Sequence, residues 1–173
     1  YSQEPGALNE SWSDVVGMFT SIDYGDDLPY WMAENIMKNS KGPYYAMRRL
    51  DDPPFRTDSY PENNYTPQDP LNSWGQPEHT SEQYHAGSWP WTDNGGVHEN
   101  SGIPNKAAYL ITTHVNVGAE KAKQIYYYAM FYLSANAQFV DARDAVEQAT
   151  IDLYGAGKEL TAVRAAFDAV GIR

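Results

Sequence analysis

Glu10 and Asp14 are the first side chains in the sequence that suggest a ligand set or a reaction. Two carboxylates four residues apart stand on one face of a helix and repel by a few tenths of a kcal/mol. A cation between them, or a hydrogen bond to one of them, reverses that cost. Gly6, Ser13 and Gly17 lie on the same side, and small residues let another element approach closely. The plain alternative is a solvent face carrying two acids. His98 sits in DNGGVHENSG, residues 93–102. Gly95–Gly96 allows a turn that few residues adopt, and Asp93 is near enough to fold back onto the imidazole. Such a contact orients the ring, raises its pKa and suits it to hold charge near a reacting carbonyl. The alternative is a loop histidine before a helix, with Asp93 as a turn residue. Arg48 and Arg49 follow Tyr44–Tyr45. An arginine fork binds carboxylates or polarised carbonyls bidentately, although adjacent arginines are commonly surface charges.

His79, Glu82 and His85 look like metal ligands, but their spacing spreads the histidines about 120° apart on a helix. A zinc helix places its histidines at i and i+4, so no shared site is expected. His114 reads as a helix-end residue. The sequence contains no Gly-rich phosphate loop, GxSxG, HExxH or Cys–His pair. The residues by themselves offer a carboxylate pair, a His–Asp pair and an arginine, but not a complete active site.

The framework expected behind these groups is mostly helical. Leu8, Trp12, Val15, Val16 and Phe19 form an apolar stripe that predicts a helix over 6–22. Glu10 and Asp14 fall about 200° away from that stripe. A helix interrupted early by Pro104 is expected from about Ser101 to Thr113. Further helices are expected at Glu120–Leu133, Gln138–Tyr154 and Lys158–Val170, with Gly118, Gly155, Gly157 and Gly171 at their ends. Residues 51–92 hold seven of the eleven prolines and three of the five tryptophans. That zone excludes a long helix or central strand. It reads as an ordered, loop-rich insertion with one short helix at 78–86. No period-2 run predicts a strand. The fold class is mainly α: a bundle of about five helices with a long loop-rich insertion.

Composition narrows the function. The 173 residues carry 12 Lys+Arg against 23 Asp+Glu, a formal charge of −11, and no cysteine. The acidity argues against nucleic acid as a partner. No apolar run reaches the roughly 18 residues of a membrane span, and no signal peptide is expected within the chain. Without cysteine there is no thiol nucleophile and no Cys-ligated metal.

GALNESWSD (6–14), MRRLDDP (47–53), DNGGVHENSGIPNKAAYL (93–110) and FDAVGIR (167–173) together resemble the thermolysin family of zinc metallopeptidases. Their order and spacing are similar too, and the resemblance covers essentially all of 1–173, as the C-terminal helical lobe. It implies roles by position. Glu10 corresponds to the third zinc ligand. Asp14 corresponds to the acid that orients a zinc-bound histidine. Asn9 helps position peptide or the ligand helix, and Tyr1 stands where the family has an active-site tyrosine. His98 corresponds to the histidine that stabilises the tetrahedral intermediate, with Asp93 orienting it. Arg48 contacts a substrate carbonyl, and Ile36 and Met47 line the apolar pocket that receives a bulky residue after the cut.

The implied protein is a secreted, zinc-dependent endopeptidase acting on protein or peptide substrates. The HExxH-bearing N-terminal lobe is expected as a separate part, and the chain alone is expected to be inactive. A non-catalytic binding or inhibitory module that kept the fold is the alternative. A carbohydrate binder using the aromatics of 60–91 is a third reading. The family binds calcium; here Glu34, Asp23, Asp26 and Asp27 are the candidate ligands. Ser21, Trp31 and Asn35 fall where acids are often found, so double-calcium binding is expected to be weakened or lost. Glu99 stands where the family usually carries an apolar residue. An acid beside His98 is expected to raise the pKa of that histidine.

Overall fold

A computed structural model describes residues 1–32, 48–54, 76–85 and 93–173. α1 (Gln3–Tyr24) starts three residues before the expected helix and ends two after it. Its apolar side buries Ala7, Leu8, Val15, Met18 and Phe19. Val16, counted with the stripe in the sequence, is 51% exposed. It lies about 100° from Val15, which takes it off the buried side. Gly25 closes the helix in the left-handed conformation, and the Gly25 and Asp26 amides donate to the Ile22 and Ser21 carbonyls.

Four further helices stack in order: α3 (Gly102–Thr113), α4 (Gly118–Ala129), α5 (Phe139–Tyr154) and α6 (Lys158–Ala169). α2 (Asp93–Asn100) is short and precedes them. Pro104 falls in the first turn of α3, where its missing N–H removes no helical bond, so it starts the helix rather than interrupting it. α4 stops four residues earlier than expected, and Met130, counted in its stripe, is 40% exposed. α5 begins with a reciprocal cap. The Gln138 side chain accepts the Asp141 amide while Asp141 accepts the Gln138 amide. The apolar positions of α6, Leu160, Val163, Ala166 and Phe167, are all buried. One continuous core joins α1, α3, α4, α5 and α6, with Trp12 and Phe19 packed on Tyr126 at 5.3 and 6.1 Å.

Two departures concern the site. The first is a two-residue antiparallel ladder, β1 (Trp31–Met32) with β2 (Arg48–Arg49), pairing Trp31 with Arg49 and Met32 with Arg48. Such short strands carry no alternation to read. Alternation does separate the two arginines: Arg48 turns to α1, while Arg49 pairs with Asp51 at 2.6 Å and stacks on Trp31 at 4.7 Å. The second concerns 78–86, where the helical part shrinks to a 3-10 turn, Thr80–Glu82. The Thr80 amide donates to the Val170 carbonyl at 3.0 Å, and its hydroxyl to that of Gly171 at 3.0 Å. No described helix is long and apolar enough to cross a membrane.

Candidate active site

Asp14 points inward from α1 and is 5% exposed. Arg48 Nη2 donates to its Oδ1 at 2.9 Å, and Asn105 Nδ2 to its Oδ2 at 2.9 Å. A solvent-facing acid pair is thereby excluded for Asp14: β2 and α3 cover it. Burial pushes its carboxyl up, against the opposing effects of Arg48 and Asn105.

Glu10 lies one turn earlier and is half-buried. The Tyr1 hydroxyl donates to its Oε1. Its Oε2 faces His98 Nε2 at 3.5 Å and Arg48 Nη1 at 3.9 Å. Arg48 is therefore the cation between the two acids. Burial, then the hydrogen bond to Glu10, pushes the Tyr1 phenol up to about 12, so it stays a donor through the neutral range.

His98 reaches this point because the chain doubles back. Asp93, Asn94, Gly95 and Gly96 all have positive φ (21°, 49°, 90° and 80°) before a single helical turn resumes. Gly95–Gly96 supplies the half of that run that other residues resist. The turn lays one carboxylate on both ends of His98. Asp93 Oδ1 is 2.5 Å from Nδ1, and Oδ2 accepts the His98 amide at 2.6 Å. With Nδ1 committed to Asp93, Nε2 faces Glu10, and the ring is 52% exposed. Gly6 allows the approach of α2 to α1, since a Cβ there would collide with Val97.

The segment 76–85 holds α2 from outside. Gln76 Nε2 donates to the His98 carbonyl at 2.5 Å, as does the Ser101 hydroxyl at 2.7 Å. The fully buried Asn100 accepts the Tyr84 amide at 2.8 Å and donates to the Tyr84 carbonyl at 2.8 Å. Sequence reading passed over Asn100, Asn105 and Gln76. Asn105 had one signal: an amide among the mostly apolar buried positions of α3.

Tyr1, Glu10, Asp14, Arg48, Asp93 and His98 thus gather at one edge of the bundle, and Asn9 is exposed beside Glu10. Ile36, Met47 and Glu34 lie outside the described residues. Asp23 pairs with Lys123 at 2.6 Å, while Asp26 and Asp27 are exposed. His79 turns its Nδ1 to the Ser81 amide, and His114 accepts the Asn116 amide. Among the described residues no three His, Cys, Asp or Glu side chains converge to hold a metal. A catalytic zinc needs three protein ligands. Glu10 offers one suitable oxygen donor, so the described residues alone do not make a zinc site.

A sequence profile described as "Thermolysin metallopeptidase, alpha-helical domain" matches residues 1–172. The chain is 39% identical to the extracellular elastase of Staphylococcus epidermidis, over 99% of this chain and 28% of that protein. It is 37% identical to the bacillolysin of Bacillus amyloliquefaciens, over 99% of this chain and 27% of that one. Among solved structures it is similar to the precursor of protealysin, a metalloproteinase from Serratia proteamaculans. The TM-score is 0.77 at 26% identity, covering 100% of this chain and 51% of the other. The chain spans 27–28% of the length of these two curated relatives.

Proposed function

The chain belongs to the thermolysin metallopeptidase family, through its alpha-helical domain, and on that premise we propose that it is the lobe of a secreted zinc endopeptidase that supplies Glu10 as a zinc ligand. The observation that carries this reading is the setting of the Glu10 carboxylate. It has Tyr1 on one oxygen and His98 and Arg48 near the other, from three separate stretches of the chain. The other ligands and the general base come from an HExxH-bearing lobe, and this chain alone is inactive. Zinc held jointly supplies Lewis acidity and an activated water.

This chain's own residues do the rest. Asp93 holds His98 by Nδ1 so that Nε2 faces the reacting centre. Tyr1 presents a hydroxyl that keeps its proton at neutral pH. Together they donate to the oxygen that gains charge as a peptide carbonyl is attacked. Asp14, fixed by Arg48 and Asn105, orients a histidine of the other lobe. Arg48 and Asn9 contact the substrate. Cleavage before bulky hydrophobic residues, with Ile36 and Met47 lining the pocket, follows from the family resemblance. Secretion is supported by the likeness to the extracellular elastase of Staphylococcus epidermidis. Weakened calcium binding is supported by the Asp23–Lys123 pair, which occupies one of the four candidate acids.

Competition with a chromogenic chelator tests the reading. This chain is expected to bind zinc weakly alone and tightly with an HExxH-bearing lobe, and Glu10→Ala is expected to abolish the gain. In the joined protein, His98→Ala is expected to lower kcat about 10²–10³-fold with zinc retained. Tight zinc binding by this chain alone overturns the proposal. So does a joined protein that binds zinc and cleaves no peptide, which favours the binding-module alternative.

A further inference from the structure

Glu99 follows His98 in α2 and turns away from Glu10, toward Asp93. Its carboxyl lies in hydrogen-bonding contact with that of Asp93. Its Oε2 is buried with no hydrogen-bond partner among the described residues. Two touching carboxylates, one with a stranded oxygen, are costly while both are ionised. A single proton removes the conflict. Asp93 is badly placed to take it, because both its oxygens already face His98 donors at 2.5 and 2.6 Å. The proton falls to Glu99. Burial, then the hydrogen bond and charge of Asp93, pushes Glu99 up to about 7. Burial also pushes Asp93 up, but the hydrogen bonds of Glu99 and His98 outweigh it and hold Asp93 below the usual carboxylate range. A charged His98 favours the Glu99 anion. Tyr84, packed on α2 from 76–85, faces Glu99 as a neutral phenol, pushed up by burial and then by the charges of Glu99 and Glu82.

We propose that Glu99 is a positioning residue for His98: as a carboxylic acid it donates a hydrogen bond to Asp93 and braces the Asp93–His98 pair. The brace exists while Glu99 is protonated. When Glu99 ionises, the donated bond is lost and a second anion faces Asp93, so the pair loosens as pH rises through neutrality. The sequence alone suggested that Glu99 acts on the His98 ring; the geometry routes its effect through Asp93. The consequence for catalysis rests on the role proposed for His98 above, but the brace itself does not.

Carbon-13 titration of the side-chain carboxyls in this chain, without zinc or substrate, tests the brace. The Glu99 carboxyl is expected to titrate near 7, well above an ordinary glutamate. The His98 amide proton, which reports its bond to Asp93, is expected to shift with the same midpoint. Glutamine keeps a donor at every pH. In Glu99→Gln the part of that shift that follows Glu99 should vanish. In Glu99→Leu it should vanish too, with the signal at a different position. A wild-type Glu99 that titrates in the ordinary glutamate range overturns the proposal without any variant. A His98 amide titration that is the same in Glu99→Gln as in wild type overturns it too. These readouts need neither metal nor turnover, so the brace and the peptidase reading fail independently.

Discussion

The bundle of α3 to α6 and the edge carrying Glu10 and His98 are built on different terms. The bundle buries Ile111, Ile125, Val146, Val163 and Phe167 at helical spacing, with alanines letting the helices close up. The edge buries Asp14, Asn100, Ser101 and Asn105. Burial of apolar groups is non-directional, so each helix tolerates modest change so long as volume is kept. A buried polar group is acceptable only with its particular partners in place, and removing one strands the others. The edge is therefore held by contacts that are each less replaceable.

If that contrast holds, Phe167→Ala should give the largest loss of stability, about 3–5 kcal/mol by urea unfolding. The His98 amide and ring resonances should keep their wild-type shifts in the folded fraction, because the damage stays in the bundle. Asn105→Ala should follow at about 2–3 kcal/mol, since Asp14 keeps its burial and loses an amide donor. Here the Arg48 side-chain resonances should move as well. An Asn105→Ala cost under 0.5 kcal/mol would contradict the account of the edge.

Glu99→Gln comes next, and its effect depends on pH. The folded carboxyl is raised to about 7. A raised carboxyl contributes stability that is complete below its unfolded value and lost as pH rises through the folded one. Between pH 5 and 8 wild type should lose about 1–2 kcal/mol more than Glu99→Gln, after allowance for solvent screening. Arg164→Ala should do least. Arg164 reaches Glu147 at 2.7 Å with half its side chain in water, and its loss should cost at most about 0.5 kcal/mol.

The same contrast decides what was legible in the sequence. The bundle helices announce themselves by period and by glycine stops. Errors there are of a few residues, as at Met130. At the edge, motif spacing identified Glu10, Asp14, Asp93 and His98, and the structure brings these four together. Their supports were not legible. A two-residue ladder is set by what it packs against, not by propensity. Nothing in Arg48–Arg49 says which one turns to Asp14. Asn100 and Asn105 act mainly on partners distant in sequence, Tyr84 and Asp14, so apart from the amide on the buried face of α3 no local pattern marks them. Ile36, Met47 and Glu34 lie outside the described residues, and the aromatic zone around Trp89 and Trp91 does too.

Glu4 stands at the seam between the two regions. Its Oε1 accepts from Gln83 Nε2 at 2.9 Å, and its Oε2 accepts the Phe139 amide, 135 residues away, at 2.8 Å. The order of folding follows from it. Consecutive helices of the bundle meet through short connections and can pair early. α1 must close a loop of more than a hundred residues before Glu4 reaches α5, and Thr80 must close one of about ninety to reach Gly171. In pulse-labelled hydrogen exchange the α4 to α6 amides should therefore gain protection before those of Tyr84 and His98. The edge carrying Glu10 and His98 should be the last part of the molecule to be assembled and, in equilibrium exchange, the first to open.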